Sequence, residues 1–163
     1  MTAWRLQGDV VIFDSLRLRL HRIGRSHWRG SGVLRSWGAV ALHRDGDALH
    51  APCADDEALW LGAWLDDEGS VKASVTLTDP VAGRSAAITP PTSFQIAGLT
   101  GADGARHPLV RVDTAPLSMQ MRCGPAHAAA ALRLHLPADW AALAGQPAPA
   151  ALTGPPPLPP RLG

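Results

Sequence analysis

Tyrosine and asparagine are absent from this 163-residue chain, lysine occurs once, at Lys72, and there are two cysteines, Cys53 and Cys123. Two cysteines cannot staple a disulfide scaffold of this length, although one bridge between them is chemically open. Charge of one sign is lacking too. Fifteen basic residues face fourteen acidic ones, a net +1, so the chain as a whole exerts no electrostatic pull on nucleic acid or an anionic membrane. No apolar run approaches the ~20 residues of a membrane-spanning helix, and the segment Met1-Thr2-Ala3-Trp4-Arg5 lacks the apolar stretch of a secretory leader. The expectation is a cytoplasmic protein without membrane insertion, or one exported by a route that needs no such leader.

Signatures of chemistry are missing as well. There is no Gly-rich phosphate loop, no Gly-x-Ser-x-Gly elbow, no His-Glu-x-x-His and no His-x-Glu with Pro-Cys-x-x-Cys. The acids of Asp55-Asp56-Glu57 and Asp66-Asp67-Glu68 sit beside turn residues, where carboxylates ordinarily face water, without the spaced oxygens of an EF-hand. The scarcity of lysine beside fourteen arginines is what GC-rich coding produces, so the arginine count alone is no sign of phosphate binding.

What is present suffices for one core: 46% hydrophobic residues and 18% charged exclude a wholly disordered chain. Most of it alternates with period two. Leu16-Arg17-Leu18-Arg19-Leu20-His21 puts three leucines on one face and two arginines with a histidine on the other, a half-buried strand with a basic outer face. A helix from Ser15 to Ile23 ended by Gly24 competes with that strand. The same alternation recurs in Leu117, Met119, Met121 and in Leu132, Leu134, Leu136.

Turn residues separate these segments. Asp45-Gly46 suits a two-residue hairpin loop, pairing Arg44 with Asp47, Leu42 with Leu49 and Val40 with Ala51, with Ala41 opposite His50. Asp79 to Gly83 and Gly101 to Gly104 are two further reversals. One short helix is expected over Asp139–Ala144, closed by Gly145. The fold class is therefore all-β: an antiparallel sandwich or barrel of roughly eight to ten short strands with a small C-terminal helix. Residues 1–145 form the single domain, and residues 146–163 a flexible Pro/Ala/Gly-rich tail. Within the tail, Pro156-Pro157-Leu158-Pro159-Pro160-Arg161 fits a polyproline docking pattern common by chance in such coding.

Three features are candidates for function. The first is the stripe Trp60, Gly62, Trp64, which alternates with Leu59, Leu61, Ala63 and Leu65. If residues 59–65 form a hairpin with 71–77, a three-residue loop sets Trp64 against Lys72 and Trp60 against Thr76, making an exposed aromatic platform. A four-residue loop instead sets Trp64 against Val71 and Trp60 against Val75, burying both. The second is charge segregation. Residues 1–35 hold seven arginines against Asp9 and Asp14, residues 36–70 hold Arg44 against eight acids, and the remainder has seven basic and four acidic residues. The basic strand, with Arg17, Arg19 and Arg22 and Trp4, Trp28 and Trp37 nearby, invites nucleic acid, but the acidic middle argues against it; contact within the fold or between subunits fits better. The third is the pair of short-spaced sets His50/Cys53 and Cys123/His127, whose two nitrogens and two sulfurs suit tetrahedral zinc if they meet. The competing reading makes both cysteines small buried apolar residues.

The function expected is a non-catalytic binding or assembly module. It would meet a protein partner or itself through the sheet face of Trp60 and Trp64, with Lys72 opposite, or through the segregated charged surfaces that include Arg17 and Arg19; a structural subunit of a larger assembly would fit, and no cofactor is expected. The alternative is a small zinc protein or metal-dependent enzyme using His50, Cys53, Cys123 and His127.

Overall fold

The structure, a computed structural model, describes residues 3–66, 71–111 and 116–152. The period-two segments form two facing sheets. The first has the order β1 (Arg5–Gln7), β2 (Val10–Phe13), β3 (Leu16–Gly24), β6 (Glu57–Leu65), β9 (Gln95–Ile96). The second has the order β11 (Arg106–His107), β10 (Leu99–Thr100), β8 (Arg84–Ile88), β7 (Ala73–Asp79), β12 (Leu117–Cys123), β13 (Ala126–His135), β5 (Ala48–Pro52), β4 (His43–Asp45). All pairings are antiparallel except β13 with β5. The all-β sandwich with one short helix is thus realised.

The strand predicted for residues 16–21 extends to Gly24, because β3 pairs along nine residues with β6, from Leu16 against Leu65 to Gly24 against Glu57. Leu16, Leu18 and Leu20 point inward with Leu59, Leu61, Ala63 and Leu65. There they meet Leu49, Val75, Leu77, Met119, Met121 and Leu132 of the second sheet. This continuous apolar layer is the main stabilising feature.

Two expected pairings are corrected. The 44–47 hairpin turns through Gly46-Asp47, with φ 58° at Gly46, and pairs Asp45 with Ala48, Arg44 with Leu49 and His43 with His50. Glycine takes the left-handed position at the first loop residue, and Val40 donates its N–H to Leu20 O instead of joining the hairpin. The slip is two residues, so every side chain keeps its face. More consequentially, β6 does not pair with β7 at all. β6 lies between β3 and β9, and β7 between β12 and β8, so the chain crosses between sheets after Leu65. Neither proposed Trp60/Trp64 register exists, and Lys72 is exposed in the other sheet's approach. The loop in question, 67–70, lies outside the described residues.

The helix α1 (Pro137–Ala144) starts two residues earlier than expected, at a proline whose missing N–H costs nothing in the first turn. It ends as predicted at Gly145, φ 66°, whose N–H donates to Ala141 O. Its fully buried Trp140 donates Nε1–H to His50 O at 3.1 Å, seating the helix on β5. The polyproline pattern at 156–161 lies outside the described residues.

Candidate functional site

The outer face of β3 and β6, turned away from the main core, carries Arg17, Arg19, His21 and Ile23 on one strand and Ala58, Trp60, Gly62 and Trp64 on the other. Its two halves differ. Toward Leu16, the face is partly open. Trp64 is half-buried beneath the Arg19 guanidinium, 5.4 Å from the ring centroid. Arg19 pairs with Asp9 at 3.5 Å, and Arg17 with Asp66 at 3.3 Å while donating to Asp14 O at 2.6 Å. The two arginines singled out from sequence are thus beside Trp64, each with a carboxylate inside the same chain.

Toward Gly24, the face is covered by residues 25–42, a long connection with one 3-10 turn at Arg25–His27, one isolated bridge of Ala39 to His21 and otherwise no regular structure. Beneath it lies a second, smaller apolar cluster of Ile23, Leu34, Ala58, Trp60 and Ala97, with Trp28 and Trp37 packed against it. Trp60 is only 2% exposed, so it is neither main core nor open platform; it is the floor of this cluster. Side chains pin the segment at several points. Trp60 Nε1–H donates to Arg35 O at 3.0 Å, Trp28 Nε1–H to Ala97 O at 2.8 Å, and the Gln95 amide both accepts from Leu34 N–H and donates to Leu34 O. Main-chain bonds from Trp37 N–H to Arg22 O and from Arg22 N–H to Gly38 O hold its return against β3. A connection of this length is held against the sheet at these points.

That surface is cationic. Between residues 15 and 44 there are seven arginines and no acid. Arg17, Arg19 and Arg22 find Asp66, Asp9 and Glu57. Arg25, Arg29 and Arg35, all exposed, have no carboxylate within ion-pair distance among the described residues. Beside them opens a cleft of about 210 Å³, with Ile23, Leu34 and Trp37 as its apolar lining and His27, Arg29 and Arg35 as its polar lining. Val33, 59% exposed, stands at the same opening.

His21 joins the two halves. Its ring stacks on Trp60, and Nδ1 lies 2.7 Å from Ser36 Oγ. Burial, then the nearby Arg19 charge, pushes its pKa down to about 4. The ring is neutral at physiological pH and a weak base there, and Ser36 Oγ is also occupied by the Gly38 N–H. Among the described residues no carboxylate orients the other ring nitrogen, so this contact lacks the parts of a nucleophile–base pair.

The four sequence-proposed zinc ligands do not meet. His50 and Cys53 lie at the end of β13 marked by His135 against Pro52, whereas Cys123 and His127 lie at the opposite end, where Cys123 faces Ala126. Eight residues of strand between His127 and His135 separate them by about 25 Å. Both cysteines are buried and unbridged; burial pushes the Cys53 thiol up to about 11, and Cys123 Sγ contacts Ser15 Oγ at 3.2 Å. His127 is exposed. His50 instead meets His135, Nδ1 to Nε2 at 2.8 Å, with His43 facing it across the hairpin. Burial foremost holds both His50 and His135 below the ordinary histidine pKa. Among the described residues no three His, Cys, Asp or Glu side chains form a metal-binding group, and no helix is long and apolar enough to cross a membrane.

Sequence reasoning missed residues 25–42 as a site, because the segment has no periodicity to read. The available signal was two tryptophans and Leu34 in a Gly/Ser/Arg-rich stretch, more apolar surface than a solvated loop needs. Comparison with protein-family models, curated proteins and solved structures finds no significant match for this chain.

Proposed function

We propose that the chain is a non-catalytic binding module that recognises an anionic partner through the basic connection 25–42 on the outer face of its first sheet. One observation carries this reading: Arg25, Arg29 and Arg35 stand exposed on a pinned segment, with no carboxylate in ion-pair range among the described residues. Arginine forks without a carboxylate partner offer charge and donors to an oxyanion. The remaining arginines of the basic strand are neutralised internally, which weighs against self-assembly driven by the Arg17/Arg19 strand alone.

The test is retention on immobilised dextran sulfate, with elution by salt. Replacing Arg25, Arg29 and Arg35 together by Gln is expected to lower the eluting salt concentration clearly more than replacing exposed Arg5, Arg122 and Arg133, although both variants lose three charges. Equal shifts in the two triple variants would mean that only net charge matters and would remove the proposed surface.

A further inference from the structure

We propose that the cleft beside Arg29 and Arg35 binds a small amphiphilic acid: one oxyanion on a compact aryl or branched-alkyl body. This rests on the anionic-partner reading and assigns it a ligand class and a pocket. The cleft combines two halves that such a molecule needs. Ile23, Leu34 and Trp37 supply apolar walls, and His27, Arg29 and Arg35 bring hydrogen-bond donors to the same opening, with no acid among the lining residues. His27 and Trp37 are in ring contact, centroids 5.1 Å apart and planes at 46°, so the polar and aromatic sides adjoin.

The walls are largely preformed. Trp60 holds the Arg35 carbonyl, Gln95 holds both main-chain groups of Leu34, and Trp37 N–H is bonded to Arg22 O. Binding therefore orders little beyond the exposed Arg35 side chain. Arg29 is folded back, its Nη1 donating to Ser26 O and Trp28 O, which keeps its positive charge near the opening. At about 210 Å³ the cleft is smaller than a drug-sized pocket of roughly 300–1,000 Å³, room for a fragment-sized body. A neutral apolar guest would leave the guanidinium donors without gain, and a large anion such as a polyanion chain would engage the rim without entering.

The experiment is a residue-resolved NMR titration of the full chain with 4-methylbenzoate, with phenyl phosphate and cyclohexanecarboxylate to separate oxyanion from body, and 4-methylbenzamide as the uncharged control. Saturable shifts are expected at Ile23, Leu34 and the Trp37 indole, with a Kd of about 0.1–1 mM for the best acid and at least about tenfold weaker binding of the amide. Arg35→Gln should weaken the acid by about fivefold or more. Val33→Glu, at an exposed position that folding tolerates, should abolish binding by placing a carboxylate at the mouth. Shifts scattered over the surface, equal binding of acid and amide, or no saturable shift would each overturn the proposal. If this titration fails while the Arg25/Arg29/Arg35 variant still elutes early from dextran sulfate, the basic surface stands and the pocket falls; if both fail, the anionic-partner reading falls with it.

Discussion

The imidazole of His21 lies flat on the indole of Trp60, ring centroids 3.9 Å apart and planes 9° from parallel, with Nδ1 bonded to Ser36 of the covering segment. Burial of the ring in this contact favours its neutral form in the folded chain. The unfolded chain titrates His21 near 6.5 and the folded chain near 4, so between these values the unfolded state holds more protons. Stability from this residue is complete above about 6.5 and is lost as pH falls toward 4. His50 and His135 shift in the same direction and add to the slope. The urea midpoint is therefore expected to fall on acidification from pH 7 to 4, and His21→Gln, which keeps a hydrogen-bonding side chain without titrating, should make that fall shallower. Superimposable slopes for parent and variant would remove His21 from the linkage.

The two tryptophans of β6 should separate sharply in denaturation experiments. Trp60 fills the small outer cluster and donates to Arg35 O, so Trp60→Ala is expected to cost about 3–5 kcal/mol and to speed amide exchange across residues 34–38. Trp64 is half-buried beneath Arg19, and Trp64→Ala should cost about 1 kcal/mol. A comparable loss at both positions would contradict the division of this face into a covered and an open half.

Much of this architecture is legible in the chain because period-two alternation reports local geometry. Leu16 to Leu20, Leu117 to Met121 and Leu132 to Leu134 present their apolar residues to the core as the pattern requires, whereas Leu136 leaves the strand to start the helix and is exposed; Gly145 ends the helix where a left-handed residue is needed. Alternation does not say which strand is the neighbour. Residues 57–65 and 73–79 are neighbouring strands in sequence, yet they belong to opposite sheets, and that crossing moves Lys72 away from Trp64. The parallel pairing of β5 with β13 joins segments some eighty residues apart, so the contact of His50 with His135 had no local signature. Topology likewise sets His50 and Cys53 at the opposite end of β13 from Cys123 and His127: chemistry read from residue types presumes a proximity that only topology supplies.

Close approach of backbone explains one glycine. A Cβ on Gly98, between β9 and β10, would collide with the carbonyl oxygen of His107 and come within 3.1 Å of its carbonyl carbon. Main chain cannot rotate away as a side-chain tip can, so Gly98→Ala should destabilise by about 1–3 kcal/mol. Thermal denaturation reads this directly. Gly30, with nothing near its Cβ position, is the control expected to change little on the same substitution.

Arg22 and Glu57 form the most buried ion pair among the described residues, with Nη2 to Oε1 at 2.7 Å and Nε to Oε2 at 3.2 Å. Glu57 is 3% exposed, and Arg22 Nη2 also donates to Ala150 O at 2.7 Å, clasping the chain that follows the helix. Removing either partner strands the other charge away from water, so Arg22→Met and Glu57→Leu are each expected to cost about 3 kcal/mol. Together they replace the pair by apolar contact, and the double variant should be less destabilised than the sum of the singles by at least about 1.5 kcal/mol. Additive losses in the urea double-mutant cycle would mean that each side chain acts through its packing alone. Limited proteolysis supplies the second readout: cleavage within residues 146–152 should rise in both variants that lack Arg22, where the clasp on Ala150 is gone, and stay near the parent rate in Glu57→Leu, where Arg22 still reaches that carbonyl.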